Sequence, residues 1–471
     1  MSREKNLIKN TGILAIGQLS SKLFTFLLLP VYTSLLLPED YGVVDVLQTV
    51  INLVLYVATL QIESAIFRFL IDNRDNTEIK KEYISTGLFI VVSMTGITTL
   101  IVLLVNRYYN VPYLSLFLLS LWALAFYFFL SNLARGLGKN TDYSIASFIV
   151  TLSSLIINIV FIVSLGKGAS SILLALAGSQ VFGSLYLVFR LKVWRLVSFH
   201  AFRKAKMQEM LAYSVPLIPN AISWWIANTS DRILILMFLG SAANGIYAAA
   251  NKIPTIYTTL FSVFNLAWSE SVSLSMKDKD HQQYINAMLN RSYKFFSFLN
   301  LGIIICMSFM FDLLVGENYA QAYSQIYILL VAIFANSMCS LLGGVLTGLK
   351  DSKATGWTTA VGAAVNFLIN LCLIQKIGLY AASISTLVSY CVIFLCQYKV
   401  VCKSIKVRFS LNYSVQLAII LALVSTAYFL RNIMLSMIVL FVLVVWGCWQ
   451  NQEIIRGFLL ILQKKDNKNE D

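Results

Sequence analysis

Asp231 and Arg232 stand side by side in NTSDRILILMFLG, residues 228 to 240, a stretch otherwise apolar enough to dissolve in hydrocarbon. A charge at the centre of a membrane helix costs about 2.5–3.5 kcal/mol to insert. Such residues therefore mark function or a specific pairing. Lys252 lies in the next apolar run, and Lys22, Asp45 and Glu63 lie in the first two. A guanidinium or ammonium in such a place offers the donors that a phosphate needs. A carboxylate there suits a coupling cation or an ion pair. No catalytic constellation accompanies them: the two histidines, His200 and His281, fall in loops, and no intramembrane histidine is present for proton relay or metal binding. An enzyme is not expected, and no cofactor or metal is implied.

The elements that must position these charges are membrane helices. Of the 471 residues, 58% are hydrophobic and only 12% charged, against roughly 25% charged in soluble domains. The mean hydropathy is +0.75. Apolar runs of about 20 residues recur along the chain, each long enough to cross the bilayer as a helix whose backbone satisfies itself. The reading is an all-α polytopic membrane protein with about fourteen transmembrane helices. The first run is too long for a signal peptide, contains Lys22 and lacks a small-residue cleavage site.

Only Arg107, Lys167, Lys376 and Arg431 fall in one set of alternate loops, while the other loops and both termini hold the remaining basic residues outside the spans. By the positive-inside rule both termini are cytoplasmic. That topology accounts for the net charge of +14. Nucleic acid is not expected, and contact with anionic lipid is a secondary effect. The seven cysteines form no CxxC and read as small buried hydrophobes.

The chain repeats itself. RGLGKNTDYSIASFIVTLSSLIINIVFIVSLGKGASSI from Arg135 aligns without a gap on TGLKDSKATGWTTAVGAAVNFLINLCLIQKIGLYAASI from Thr347, pairing Gly136 with Gly348, Asn158 with Asn370 and Gly166 with Gly378. A weaker match joins LPEDYGVVDV to GSAANGIYAA and puts Gly42 on Gly245. Spans one to six therefore correspond to spans seven to twelve in the same orientation. This gives an N-terminal six-helix lobe at 1–194, a cytoplasmic amphipathic connector at 195–212, a second six-helix lobe at 213–402, two additional helices at 413–450 and a cytoplasmic tail at 451–471. Parallel repeats of this kind are an architecture of secondary transporters, with the site between the halves.

Polar residues at helical spacing identify the spans that face something other than lipid. Asp45, Thr49, Asn52, Tyr56, Thr59 and Glu63 line one face of span two; Tyr247, Asn251, Thr255, Thr258, Ser262 and Asn265 line span eight, with Lys252 at the margin. Span one contributes Thr11, Gln18, Lys22 and Thr25, and span seven contributes Asn220, Asn228 and Asp231 beside Arg232. A water-containing cavity would satisfy these stripes; interhelical hydrogen bonds in a dry interface are the plainer alternative. Pro30 and Pro254 each remove a helix bond within these spans. Asp231 and Arg232, with Lys252 at similar depth, either clamp the outer end or present cations to an anionic ligand. Lys22 has no acid within a turn of its own helix and reads as a ligand contact.

The stretches IGQLSSKLFTFLLLPVYTSLLLPEDYGVVDVLQTV and YSVPLIPNAISWWIANTSDRILILMFLGSAANGIYAAANKIP, with the GL loops at 136 and 348, resemble the bacterial polysaccharide flippases of the multidrug/oligosaccharidyl-lipid/polysaccharide exporter superfamily. The resemblance covers spans one to fourteen. It implies a two-lobed bundle in the bacterial cytoplasmic membrane that moves an undecaprenyl-diphosphate-linked oligosaccharide to the outer leaflet for O-antigen, capsule or exopolysaccharide. It implies a cationic cavity, last helices that help accommodate the lipid, and work beside polysaccharide polymerase machinery. On this basis Lys22, Arg232 and Lys252 are candidate diphosphate contacts, and Gln18, Asn52, Tyr56, Asn220 and Asn251 candidate sugar contacts. Asp231 and Glu63 belong to the same candidate site. A coupling ion, H+ or Na+, stays open. A cation-coupled multidrug exporter of the same superfamily is the alternative, although such a protein is expected to carry an acid in span one, where this chain has Lys22. Lys22→Glu is expected to abolish surface polysaccharide while leaving the protein in the membrane, checked by glycan staining and immunoblotting of membranes; normal glycan would remove Lys22 from the substrate path.

Overall fold

The computed structural model describes residues 27–453 except Lys277. All regular structure among them is helical: α1 (Leu29–Leu35), α2 (Pro38–Thr59), α3 (Ile62–Asp72), α4 (Thr77–Asn106), α5 (Leu114–Gly136), α6 (Asn140–Asn158, continued by a π-helical turn to Ser164), α7 (Ser170–Leu191), α8 (Val193–Leu196), α9 (Lys204–Ser214), α10 (Leu217–Leu239), α11 (Ser241–Ser275), α12 (His281–Leu314), α13 (Ala322–Gly348), α14 (Ser352–Ile377), α15 (Tyr380–Ser404), α16 (Leu411–Leu430) and α17 (Ile433–Gln450). Eleven of these elements are long and apolar enough to cross a membrane. Helices α10 and α11 fall where spans seven and eight are expected. The protein is an all-helical polytopic membrane protein.

Side chains at the polar edges of the apolar runs set where helices begin. Asn76 Oδ1 accepts from the Ile79 N–H at 3.1 Å, Asp351 Oδ1 from Ala354 at 3.0 Å and Asn432 Oδ1 from Leu435 at 3.1 Å. Each satisfies one of the amide donors that a helix start leaves open. Pro38 opens α2, where its missing N–H costs nothing.

Packing divides the chain into two compact units, 1–249 and 250–471, with the boundary inside α11. In the first unit α5 and α6 both pack along α7; in the second α13 and α14 both pack along α15. The internal likeness reaches the backbone. Leu137, Gly138 and Lys139 donate to the carbonyls of Leu133, Arg135 and Ala134, and Leu349, Lys350 and Asp351 donate to those of Val345, Thr347 and Leu346. Gly138 has φ +78° and Lys350 φ +60°, while Gly166 and Gly378, also matched in the repeat, have φ +58° and +60°. Two left-handed helix stops are thus each used twice.

The connector packs on the first unit. The backbone N–H groups of Ser198 and Arg203 donate to the hydroxyls of Ser85 and Thr86 at 2.9 and 3.2 Å. Met210 is fully buried, and a Cβ added to Gly87 would lie 3.0 Å from its Cε. In the second unit, Tyr257, Phe261, Trp268 and Phe296 pack with Leu341, Leu342 and Val345. Asn286 and Asn290, one turn apart on α12, hold the extended 405–410 segment through paired amide bonds to the backbone of Lys406, Arg408 and Ser410.

The longest departure from the sequence expectation is in span two, which is not one helix. Leu60 and Gln61 both adopt left-handed backbone, φ 49° and 57°, and separate α2 from α3. Each such residue costs roughly 1–2 kcal/mol. Threonines satisfy the opened backbone: Thr95 donates to the Ala58 carbonyl at 3.2 Å, and Thr59 accepts from the Gln61 N–H at 3.3 Å. The polar stripe therefore turns at the break, and Glu63 belongs to a different helix from Asp45.

Gly138→Ala is expected to lower stability by about 1–2 kcal/mol, because a Cβ there is strained at positive φ and meets Arg74 at 3.3 Å. Lys350→Gly, at the matched position, is expected to cost nothing. Thermal unfolding midpoints in detergent distinguish the two.

Candidate functional site

Helices α2 and α11 cross at two glycines. A Cβ on Gly42 would lie 1.9 Å from the Ser241 carbonyl oxygen, and one on Gly245 would lie 1.9 Å from that of Pro38. No other residue type allows backbones this close. These are the glycines that the internal repeat matches to one another.

The close crossing presses polar groups together. Asn244, fully buried, donates through Nδ2 to the Gly42 carbonyl at 3.0 Å and to Asp45 Oδ2 at 3.4 Å. Arg232 on α10 places Nε 3.3 Å from Asp45 Oδ2 and donates to the Thr49 hydroxyl at 3.2 Å. Trp225, two turns earlier on α10, donates its indole N–H to the Thr49 carbonyl at 3.1 Å. Asp231 accepts from the Tyr247 hydroxyl at 3.2 Å. Asp45 is 5% exposed, whereas 27% of the Arg232 side chain remains accessible. The guanidinium thus neutralises a buried acid and still presents donors outward.

Arg232 therefore pairs with Asp45 on a separate helix, not with its neighbour Asp231. Sequence periodicity and resemblance place Asp45, Thr49 and Tyr247 in the polar stripes but outside the candidate site, and they do not reach Trp225 or Asn244. The signal was present: matching Gly42 to Gly245 puts Asp45 one turn from the crossing and Asn244 beside it.

The remaining candidates fall as follows. Asn52 and Tyr56 continue the Thr49 face of α2, the first exposed and the second half-buried. Asn220 is exposed near the start of α10. Asn251 and Lys252, both half-buried, belong to the part of α11 that packs with the second unit. Glu63 is buried at the start of α3, away from the Asp45 network. Gln18 and Lys22, with Thr11 and Thr25, lie outside the described residues, as does the side chain of Asn228. Among the described residues no cluster of three or more metal-ligating side chains occurs.

The family model described as polysaccharide biosynthesis protein matches residues 7–269, more than half of the chain and the whole of this helix crossing. The chain belongs to that family. An uncharacterized membrane protein of Methanocaldococcus jannaschii is 23% identical over 83% of this chain and 96% of its own. Among solved structures, an inward-facing multidrug resistance MATE transporter of the MOP superfamily is similar with a TM-score of 0.66 at 16% identity, over 83% of this chain and 98% of that one. The lipid II flippase MurJ in an inward closed conformation is similar with a TM-score of 0.58 at 11% identity, over 93% of this chain and 99% of that one. These likenesses establish the fold: this member of the polysaccharide biosynthesis family has the helical architecture of MOP transporters.

Breaking a fully buried ion pair by removing one partner costs about 3–5 kcal/mol. With the Arg232 side chain partly accessible, Arg232→Gln is expected to cost about 2 kcal/mol by leaving Asp45 unpaired. Adding Asp45→Asn should recover part of that loss. A double-mutant cycle on unfolding midpoints reads the coupling, and strictly additive effects would show that the pair is not energetically linked.

Proposed function

We propose that this protein is a flippase that carries an undecaprenyl-diphosphate-linked oligosaccharide from the cytoplasmic to the outer leaflet of the bacterial cytoplasmic membrane by alternating access. The observation that carries the reading is the match of residues 7–269 to the polysaccharide biosynthesis family. Coverage supports it: the MATE transporter, 98% covered, accounts for 83% of this chain, whereas the lipid II flippase accounts for 93%. The lipid II flippase thus spans more of this chain, and the MATE transporter has the higher TM-score over the part it covers.

In the orientation that the basic loops predict, the Gly42–Gly245 crossing lies at the extracytoplasmic end. Its backbone contact, reinforced by Asp45, Arg232 and Asn244, acts as a closed latch. The accessible side of Arg232 supplies donors for a diphosphate when the latch parts. Lys22 and Lys252 add positive charge to the path, and Asn52, Tyr56, Asn220 and Asn251 offer hydrogen bonds to sugars. A groove of about 580 Å³ in the second unit, lined among others by Phe334, Met338, Leu387, Phe394 and Leu421, suits the polyprenyl tail. Its lining is apolar and it lies among membrane helices.

Deleting the gene is expected to abolish surface polysaccharide and to accumulate the lipid-linked unit, with recovery on complementation. Gly245→Leu should fail to complement while reaching the membrane, because the latch cannot close. Glycan staining and extraction of the lipid-linked intermediate check both. Intact polysaccharide combined with new drug sensitivity would instead favour the multidrug exporter.

A further inference from the structure

The helix break in span two holds a carboxyl group that the crossing does not use. Glu63 is 8% exposed, and among the described residues its Oε2 has no hydrogen-bond partner. Its own backbone N–H and the Thr59 hydroxyl lie beside the carboxylate, but both sit at the break and leave that oxygen open. An ionised carboxylate buried with one bare oxygen is heavily penalised. The group is therefore complete only when something positive occupies Oε2.

The surroundings supply no such charge among the described residues. From α4 the facing polar group is Thr95, whose hydroxyl is spent on the Ala58 carbonyl; Glu78, Lys80, Lys81 and Glu82 lie at the far end of that helix. From α5, Arg135 lies a turn further along, 4.7 Å over the ring of Phe67. The connector helix α9 brings Met210 toward Ile62 through Gly87, while its Lys206 and Glu209 engage Tyr83. On α2 the only buried acid, Asp45, already pairs with Arg232. Discontinuous membrane helices place the carbonyl end of one segment against the start of the next, a geometry used to hold small cations.

We propose that the α2–α3 break is a monovalent-cation site, with Glu63 Oε2 as the anionic ligand and either a proton or Na+ as the occupant. This deepens the flippase reading by naming where a coupling ion is taken up. The break is where such binding acts on structure: filling Oε2 neutralises a buried acid, unpaired among the described residues, at a joint of left-handed backbone between two membrane segments. Occupancy thereby biases the angle between α2, which carries the latch, and α3.

The test uses the purified full-length protein in detergent, without glycolipid. Thermal midpoints are compared in NaCl and choline chloride at equal ionic strength, for the wild type and Glu63→Gln, which keeps shape and loses charge. In parallel, dicyclohexylcarbodiimide, which reacts with protonated carboxyls in apolar surroundings, is applied across a pH series, and adducts are located by mass spectrometry. Sodium as occupant predicts a Na+-dependent rise in the wild type that Glu63→Gln abolishes, with Na+ protecting Glu63 from the carbodiimide. A proton as occupant predicts no Na+ effect and a Glu63 adduct that falls roughly tenfold per pH unit above its titration midpoint. The proposal is overturned if a Na+ shift persists in Glu63→Gln, or if the wild type shows neither a Na+ shift nor a pH-dependent Glu63 adduct. Because both readouts omit the substrate, their failure leaves the polysaccharide experiment untouched, and the failure of that experiment leaves them standing.

Discussion

The backbone contact between Gly42 and Gly245 is the constraint on which the candidate site depends. Two helices can approach this closely only where neither carries a side chain at the crossing. The same proximity that removes side chains brings carbonyl groups into the interface, where they need donors. Asn244 meets that need, and its amide also reaches Asp45. Asp45, buried by the crossing, then requires a cation, which Arg232 provides. Each polar residue follows from the one before it, starting with two missing Cβ atoms.

A membrane interior makes this chain of dependence strict. Little water reaches a buried polar group there, so the donors and acceptors brought to the crossing pair mostly with protein, through Asn244 Nδ2, Asp45 and Arg232, while Asn244 Oδ1 has no partner among the described residues. Interhelical hydrogen bonds in membranes contribute only about 0.6 kcal/mol on average. A contact made of several modest bonds around one ion pair is firm while assembled, yet no single bond makes it irreversible. That balance is what the proposed latch requires, and it distinguishes the crossing from the interlocked aromatic packing of Tyr323 on Tyr428 in the second unit, where each hydroxyl bonds the other residue's carbonyl.

The break at Leu60 and Gln61 shows the limit of periodicity as evidence. Asp45 through Glu63 keep helical spacing along the sequence, and no glycine or proline interrupts them. The interruption comes from tertiary partners: Thr95, on another helix, satisfies a carbonyl that the break frees, and Thr59 caps the opened amide. Ordinary residues hold left-handed backbone there because the surroundings over-determine it. The repeat, by contrast, is legible in the sequence as a gapless match, and the structure carries it to the backbone, since the stops after Gly136 and Gly348 depend on local bonds within a few residues.

What the sequence determined alone was whatever depends on local chemistry or on bulk partition: the all-helical membrane class from apolar run length, the internal duplication, and the polar faces that lipid would reject. It also contained the glycine match, though not the meaning of that match. Tertiary structure decided the pairings. That Arg232 serves Asp45 and not its sequence neighbour, that span two is two helices, and that Glu63 is left with a bare oxygen all depend on which helix packs against which. Adjacent residues on a helix point in different directions, so partnership between charges is a property of packed faces and not of sequence proximity.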